Sequence, residues 1–298
     1  MVSTVNFYQK EESYDSSFYF WQMKISAPLI STLCVFALLY ALLCGAAYFF
    51  QETILFRSTQ LPTDFQFRFD LPFEEINLET APGITINALY FETPNPRGVV
   101  LYFHGNAGAL NAWGTRAETF IPRNYNLLIL DYRGYGKSTG SINSEDNMHH
   151  DARVFYNYLT QQKGYTSNQI ILYGMSMGTG VAAALASKVP AKALLLEAPY
   201  FNMLELTSRY APFLPLKYLL RYQFRSDLNL EQVRCPIHII HGTADQVIPY
   251  DEGHKLVQKF PHIHFTTVNN GQHNNLRDFS EYEMFLDEAL PPLAINDR

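Results

Sequence analysis

Residues 174–178 read Gly174-Met175-Ser176-Met177-Gly178. They follow the apolar run Gln169-Ile170-Ile171 and precede the small-residue run Val181-Ala182-Ala183-Ala184. A strand that turns abruptly into a helix holds its central residue in a strained conformation, and flanking glycines remove Cβ atoms that would collide. The Ser176 hydroxyl is then raised above the sheet as a nucleophile, although the five residues alone would also suit a glycine-rich turn with an incidental serine. A serine attacks at neutral pH only with a base in hydrogen-bond reach, and the base needs an acid to fix its tautomer. In an open parallel sheet such groups come from loops at the carboxyl ends of strands. After Ser176, the segment "IHIIHGTADQVIP" is a strand followed by a turn carrying Asp245, the candidate acid. Glu197, at another strand end, is the runner-up, and Asp251 reads as a helix cap. The strand 263–268 runs into "NNGQHNN", which puts His273, the candidate base, on a polar loop. His262 and His264 read as packing or surface residues, and His254 as part of a solvated helix.

Negative charge developing on a carbonyl oxygen needs two backbone N–H donors. One comes from the residue after the nucleophile, Met177, and one from the loop after an earlier strand. That strand is "VVLYFH", and its loop "HGNAG" offers the amide of Asn106. His104 reads as a structural residue holding this loop. In "LDYRGYGKSTG", Asp131 and Arg133 are expected to pair and brace the floor of the site, while Met175 and Met177 suit an apolar wall or simple packing. The densest group of potential metal ligands is His149-His150-Asp151. Adjacent histidines on a helix point apart, so a solvated or capping role is expected, with no metal and no cofactor.

These residues need elements to position them. Strand-like segments fall at 74–80, 85–91, 98–103, 126–131, 169–173, 192–197, 236–241 and 263–268, with helical patterns at 112–120, 145–162, 177–188, 251–259 and 279–289. The central strands are continuous apolar runs, as in strands covered on both faces, and the alternation predicts an α/β fold with a mostly parallel sheet. Residues 198–234 break the alternation with two helix-like pieces rich in Leu, Tyr and Phe. They read either as helices closing the domain or as a small lid over an apolar acyl pocket.

Ahead of this lies a different kind of sequence. Residues 27–50, "APLISTLCVFALLYALLCGAAYFF", carry no charge, and as a helix would extend about 36 Å against a hydrocarbon core of roughly 30 Å. Tyr19-Phe20-Trp21 and Tyr48-Phe49-Phe50 flank it as aromatic belts, so a single membrane span is expected rather than a cleaved signal. Lys10 and Lys24 before it balance Arg57 and Arg68 after it, so neither side is chosen for the downstream domain. The expected organisation is a tail at 1–26, a transmembrane helix at 27–50, a linker at 51–72 and the α/β domain at 73–298. A net charge of −6 without a basic run gives no footprint for nucleic acid. The three cysteines, Cys34, Cys44 and Cys235, are expected to be buried and unpaired.

The order Ser176, Asp245, His273, the "GMSMG" elbow, "FHGNAG" and "DYRGYGKS" together resemble the α/β-hydrolase superfamily. More narrowly they resemble its membrane-anchored branch with one N-terminal span, which includes lysophospholipid lipases and protein depalmitoylases. The likeness covers roughly residues 72–290. It implies an α/β-hydrolase fold with Ser176 as nucleophile, His273 as base, Asp245 as acid, and the Asn106 and Met177 amides as oxyanion hole. The substrate expected is an acyl ester or thioester, lipid-derived because of the membrane anchor. A membrane-bound peptidase or amidase, an inactive interaction module and an acyl transferase are the alternatives the same skeleton allows.

Overall fold

The computed structural model describes residues 27–291. The readings of residues 1–26, including Tyr19-Phe20-Trp21, lie outside the described residues. The chain divides after Leu43 into two units. Helix α1, Ala27–Phe49, has no buried residue and no charged residue in its first or last turn. Its 23 residues make it long and apolar enough to cross a membrane. Cys34 is therefore exposed and not buried as expected, because nothing among the described residues packs around that turn; Cys44 and Cys235 are half-buried, and all three are free.

From Cys44 onward the fold is built on an eight-stranded sheet. Its strands are β1 (Phe73–Ala81), β2 (Ile84–Phe91), β3 (Val99–Phe103), β4 (Asn126–Leu130), β5 (Ile170–Met175), β6 (Ala193–Glu197), β7 (Ile237–Gly242) and β8 (His264–Val268). The spatial order is β8-β7-β6-β5-β3-β4-β2-β1. The β1–β2 and β2–β4 pairs are antiparallel, and the remaining pairs are parallel. The alternation read from sequence is borne out, and each apolar run became a strand within a residue or two of its expected bounds.

The continuous apolar character of β3 to β7 follows from burial on both faces. Helices α2 (Glu145–Gln161), α3 (Met177–Ala186) and α5 (Tyr250–Lys259) cover one face through residues such as Phe155, Val181 and Leu256. Helix α6 (Ser280–Ala289) and the short turns Leu110–Trp113 and Ala117–Phe120 cover the other through Leu110, Phe120, Phe285 and Leu286. The helix expected at 112–120 is thus two single turns separated by the 3₁₀ turn Gly114–Arg116. Ser144 accepts the Asn147 amide to cap α2, and Asn202 caps α4 (Met203–Tyr210) in the same way.

The segment 51–72, read as an irregular linker, is woven into this unit. It opens with the helical turn Gln51–Leu55, buries Phe56 and Phe67, and pairs Arg57–Ser58 in parallel with Ala107–Gly108. Those last residues follow β3, so the segment runs along the loop that carries Asn106.

Candidate active site

Strand β3 lies between β4 and β5 in the sheet, so the chain leaves β3 and β5 beside each other at a topological switch point, where open α/β sheets form their ligand crevice. Phe103 is the register partner of Gly174, which sets the loops after these two strands next to each other. Ser176 follows β5 directly with φ 53° and ψ −121°. This is left-handed backbone on a residue with a side chain, a conformation costing about 1–3 kcal/mol that surrounding packing must impose. Two contacts impose it: the Ser176 amide donates to the Glu197 carbonyl at 2.9 Å, and the Thr179 hydroxyl donates to the Ser176 carbonyl at 2.6 Å. Gly178 is required by close approach, since a Cβ there would strike the carbonyls of Phe103 and His104.

Asp245 lies three residues beyond β7, and His273 lies in the loop after β8. The Ser176 hydroxyl donates to His273 Nε2 at 2.9 Å, and His273 Nδ1 donates to Asp245 Oδ2 at 2.7 Å. This tautomer follows from the partners, because a carboxylate can only accept. Asp245 Oδ1 accepts the amides of Val247 and Ile248, each at 2.8 Å. Burial alone would raise the Asp245 carboxyl, but the neighbouring His241 and His273 rings and the Ile248 amide hold it well below the usual carboxylate range. All three side chains are buried. Met177 opens α3, where no preceding helical carbonyl exists to take its N–H. The Asn106 carbonyl accepts the Arg57 amide and the Tyr135 hydroxyl, which pins the loop after β3 beside the elbow. Both residues line the same cavity as Ser176 and His273.

Several neighbouring residues sit differently from the expectation. Arg133 forms a two-pronged pair with Asp151, at 2.8 Å on each prong, rather than with Asp131. Asp131 instead accepts the Leu110 amide and faces His104 Nε2 at 3.2 Å. Asp151 is therefore a buried ion-pair partner and not solvated, while His150 reaches the Thr80 carbonyl. His104 donates Nδ1 to the Gly105 carbonyl at 2.7 Å, in keeping with a loop-holding role. Asp251 does not cap α5; it pairs with Arg209 and Lys255. Glu197, the runner-up acid, is engaged instead by Arg116 at 3.2 Å and the Tyr173 hydroxyl at 2.6 Å, while the acid bonded to His273 is Asp245. Arg116 also donates to the Met175 sulfur, so a buried charge network underlies the elbow. Sequence reasoning missed Arg116, and it missed His241 within "IHIIHGTADQ". The fully buried His241 donates Nε2 to the Ile248 carbonyl at 2.9 Å and lies 3.5 Å from Asp245 Oδ2. The one hint was a histidine placed four residues before the candidate acid.

Among the described residues, one His-His-Glu group could hold a metal: His238, His264 and Glu288. The two rings stack with an interplanar angle of 18°, and His264 pairs with Glu288 at 2.6 Å. His238 stands at the start of β7, the opposite end of the strand from Asp245.

The crevice opens into a cavity of about 680 Å³, well within the range of small-molecule sites. Tyr200, Met203, Leu206, Leu214 and Phe224 from the 198–234 insertion wall it on one side, and Ile54 and Leu55 on another. Among the described residues that line it there is no carboxylate, and Arg57 is the only arginine or lysine.

The model of a family described as serine aminopeptidase, S33, matches residues 94–225. An uncharacterised protein of Acanthamoeba polyphaga mimivirus is 29% identical over 220 residues, covering 66% of this chain and 74% of its own. Lysophosphatidylserine lipase ABHD12 of Danio rerio is 34% identical over 187 residues, covering 56% of this chain but only 47% of the relative. The chain thus spans about half the length of that lipase. Among solved structures, an esterase of Pyrococcus furiosus superposes with a TM-score of 0.61 at 16% identity, covering 78% of this chain and 100% of its own. An α/β hydrolase of Vibrio vulnificus gives 0.61 at 24% identity, over 73% and 81% of the two chains. A puromycin-hydrolysing peptidase of Mycobacterium tuberculosis gives 0.59 at 16%, over 75% and 40%. Sheet order, strand-end loops and these solved structures agree on an α/β-hydrolase fold.

Proposed function

We propose that the protein is a membrane-anchored serine hydrolase that cleaves carboxylic esters or thioesters of lipid type. The observation that carries this reading is the hydrogen-bonded series Ser176–His273–Asp245 at the floor of an apolar cavity. In the proposed reaction His273 Nε2 takes the Ser176 proton as Oγ attacks the acyl carbon. Asp245, held ionised, keeps the imidazole oriented and stabilises the imidazolium. The Asn106 and Met177 amides receive the oxyanion, a contribution worth about 3–4 kcal/mol per donor where one has been removed from such a hole. His273 then returns its proton to the leaving alkoxide or thiolate. A water deprotonated by the same Nε2 attacks the acyl-enzyme, and its proton passes through His273 back to Ser176.

The aminopeptidase description of the matching family and the puromycin-hydrolysing neighbour raise amide cleavage as the rival. An aminopeptidase must bind a substrate ammonium group, and burying that cation calls for a carboxylate. The cavity lining offers none among the described residues, whereas the name of the Danio rerio relative is that of a lipid hydrolase. Ester or thioester cleavage is the better fit. Helix α1 supports anchoring in a membrane, where such substrates reside.

The test is labelling with a fluorophosphonate probe in membranes holding the full chain or its Ser176→Ala variant. Labelling of the wild type alone, with turnover that rises with acyl chain length, is the expected result. An unlabelled but folded wild type would remove the enzyme reading in favour of an interaction module. Preference for peptide amides over acyl esters would move the assignment to the peptidase.

A further inference from the structure

The mouth of the cavity is marked by residues that both line it and are exposed. Ile54 is 65% exposed, Tyr210 59% and Val247 53%, and all three line the cavity. Close in sequence to cavity-lining residues are further exposed apolar side chains, Phe50, Phe213 and Tyr218. A soluble surface seldom gathers so many large apolar groups at one opening without a partner to cover them.

The chain's own order says what that partner is. Phe49 ends α1, and Ala47 on its last turn lines the cavity. The helix exit is fastened to the insertion by Gln51, which is 6% exposed. Its amide nitrogen donates to the carbonyls of Tyr48 and Leu219 at 2.8 and 3.1 Å, and its oxygen accepts the Arg221 amide at 2.8 Å. Glu52 adds an ion pair with Arg221 and accepts the Tyr222 hydroxyl at 3.0 Å. The Arg221 guanidinium lies 5.3 Å from the Tyr48 ring centre, and Lys217 lies 5.7 Å from that of Tyr218. Aromatic rings accompanied by basic side chains are the composition of a membrane–water boundary. The segment after α1 is thereby part of the substrate cavity and not a passive tether.

We infer that the rim formed by Phe50, Ile54, Tyr210, Phe213 and Tyr218 sits in the surface of the lipid bilayer, so that the cavity is loaded directly from lipid. Where α1 crosses a membrane, its exit turn lies at the interface, and the Gln51 clamp holds Leu219 and its neighbours at the same depth. An acyl chain then passes from bilayer to cavity between Ile54 and Tyr210 without exposing its methylenes to water. The direction of substrate flow rests on the acyl-hydrolase reading; the lipid contact itself does not.

The contact is tested by reconstituting the full chain, as Tyr218→Trp or Phe50→Trp, into phosphatidylcholine vesicles whose acyl chains do or do not carry bromine, a short-range quencher. The wild-type signal from Trp21 and Trp113 is subtracted, and Met284→Trp on exposed α6 serves as the remote control. The emission added at 218 and at 50 should be lost in brominated vesicles and kept at 284. Emission that survives bromination at both rim positions, or that is lost equally at 284, overturns the inference. Failure of the hydrolase reading would show separately, as absent fluorophosphonate labelling with the quenching pattern intact.

Discussion

His241 offers a test of whether the candidate acid needs support beyond its own loop. The side chain is wholly buried, and a Cβ at Gly253 would run into its ring, so α5 presses directly on it. Because a carbonyl can only accept, the Ile248 bond fixes the proton on Nε2. That same N–H lies 3.5 Å from the Asp245 oxygen that receives His273. Replacing His241 by Leu removes the donor without adding charge. Bonds to ionised groups are worth about 1.5–3 kcal/mol at good geometry, and at this length the contact with Asp245 falls below that range, at about 1 kcal/mol. A loss of that size slows turnover about fivefold, given that 1.4 kcal/mol is tenfold. The orphaned Ile248 carbonyl should cost the fold a further 1–3 kcal/mol or so. His241 does not line the cavity, so KM for a soluble ester should stay nearly constant while kcat falls. His241→Gln, whose amide nitrogen can reach the position of Nε2, should recover part of kcat. The assay is ester hydrolysis in detergent micelles beside denaturant unfolding of the same variants. Unchanged kcat in a destabilised His241→Leu chain would show that His241 only packs, and a matching rise in KM would show that the cavity itself had shifted.

Two further outcomes follow from the charges around the site. Arg57→Ala should raise KM about tenfold for lysophospholipids with an anionic headgroup, the scale of one lost charge-assisted contact. It should change monoacylglycerol kinetics little, and equal effects on both would deny Arg57 a headgroup role. Asp245, whose carboxyl is depressed in the fold, contributes stability that is complete above the unfolded-state value near ~3.9 and lost as pH falls through the folded one. The difference in melting temperature between wild type and Asp245→Asn should therefore be widest at neutral pH and shrink below about pH 4. A constant difference from pH 7 to 3 would mean that the ionised form is not what the fold favours.

Local sequence determined much of this protein. Continuous apolar runs such as "VVLYF" and "ALLLE" can be satisfied only by burial on both faces, so the order of strands and helices was legible. Ser176 was legible because a strained elbow demands small neighbours at fixed spacing, and Asp245 and His273 because loops at strand ends are the sites such a sheet leaves open. What sequence could not decide is who meets whom across the sheet. Arg133 chose Asp151 over Asp131, Glu197 was claimed by Arg116 and Tyr173, and His241 came to lie beside Asp245. Each is a side-chain pairing fixed by strand order and helix packing, and none of the three leaves a periodic trace in the chain. The segment after α1 is the clearest case. Read linearly it has the look of a linker, yet the Gln51 amide found backbone partners 168 and 170 residues away, and only the folded chain makes it a wall of the cavity.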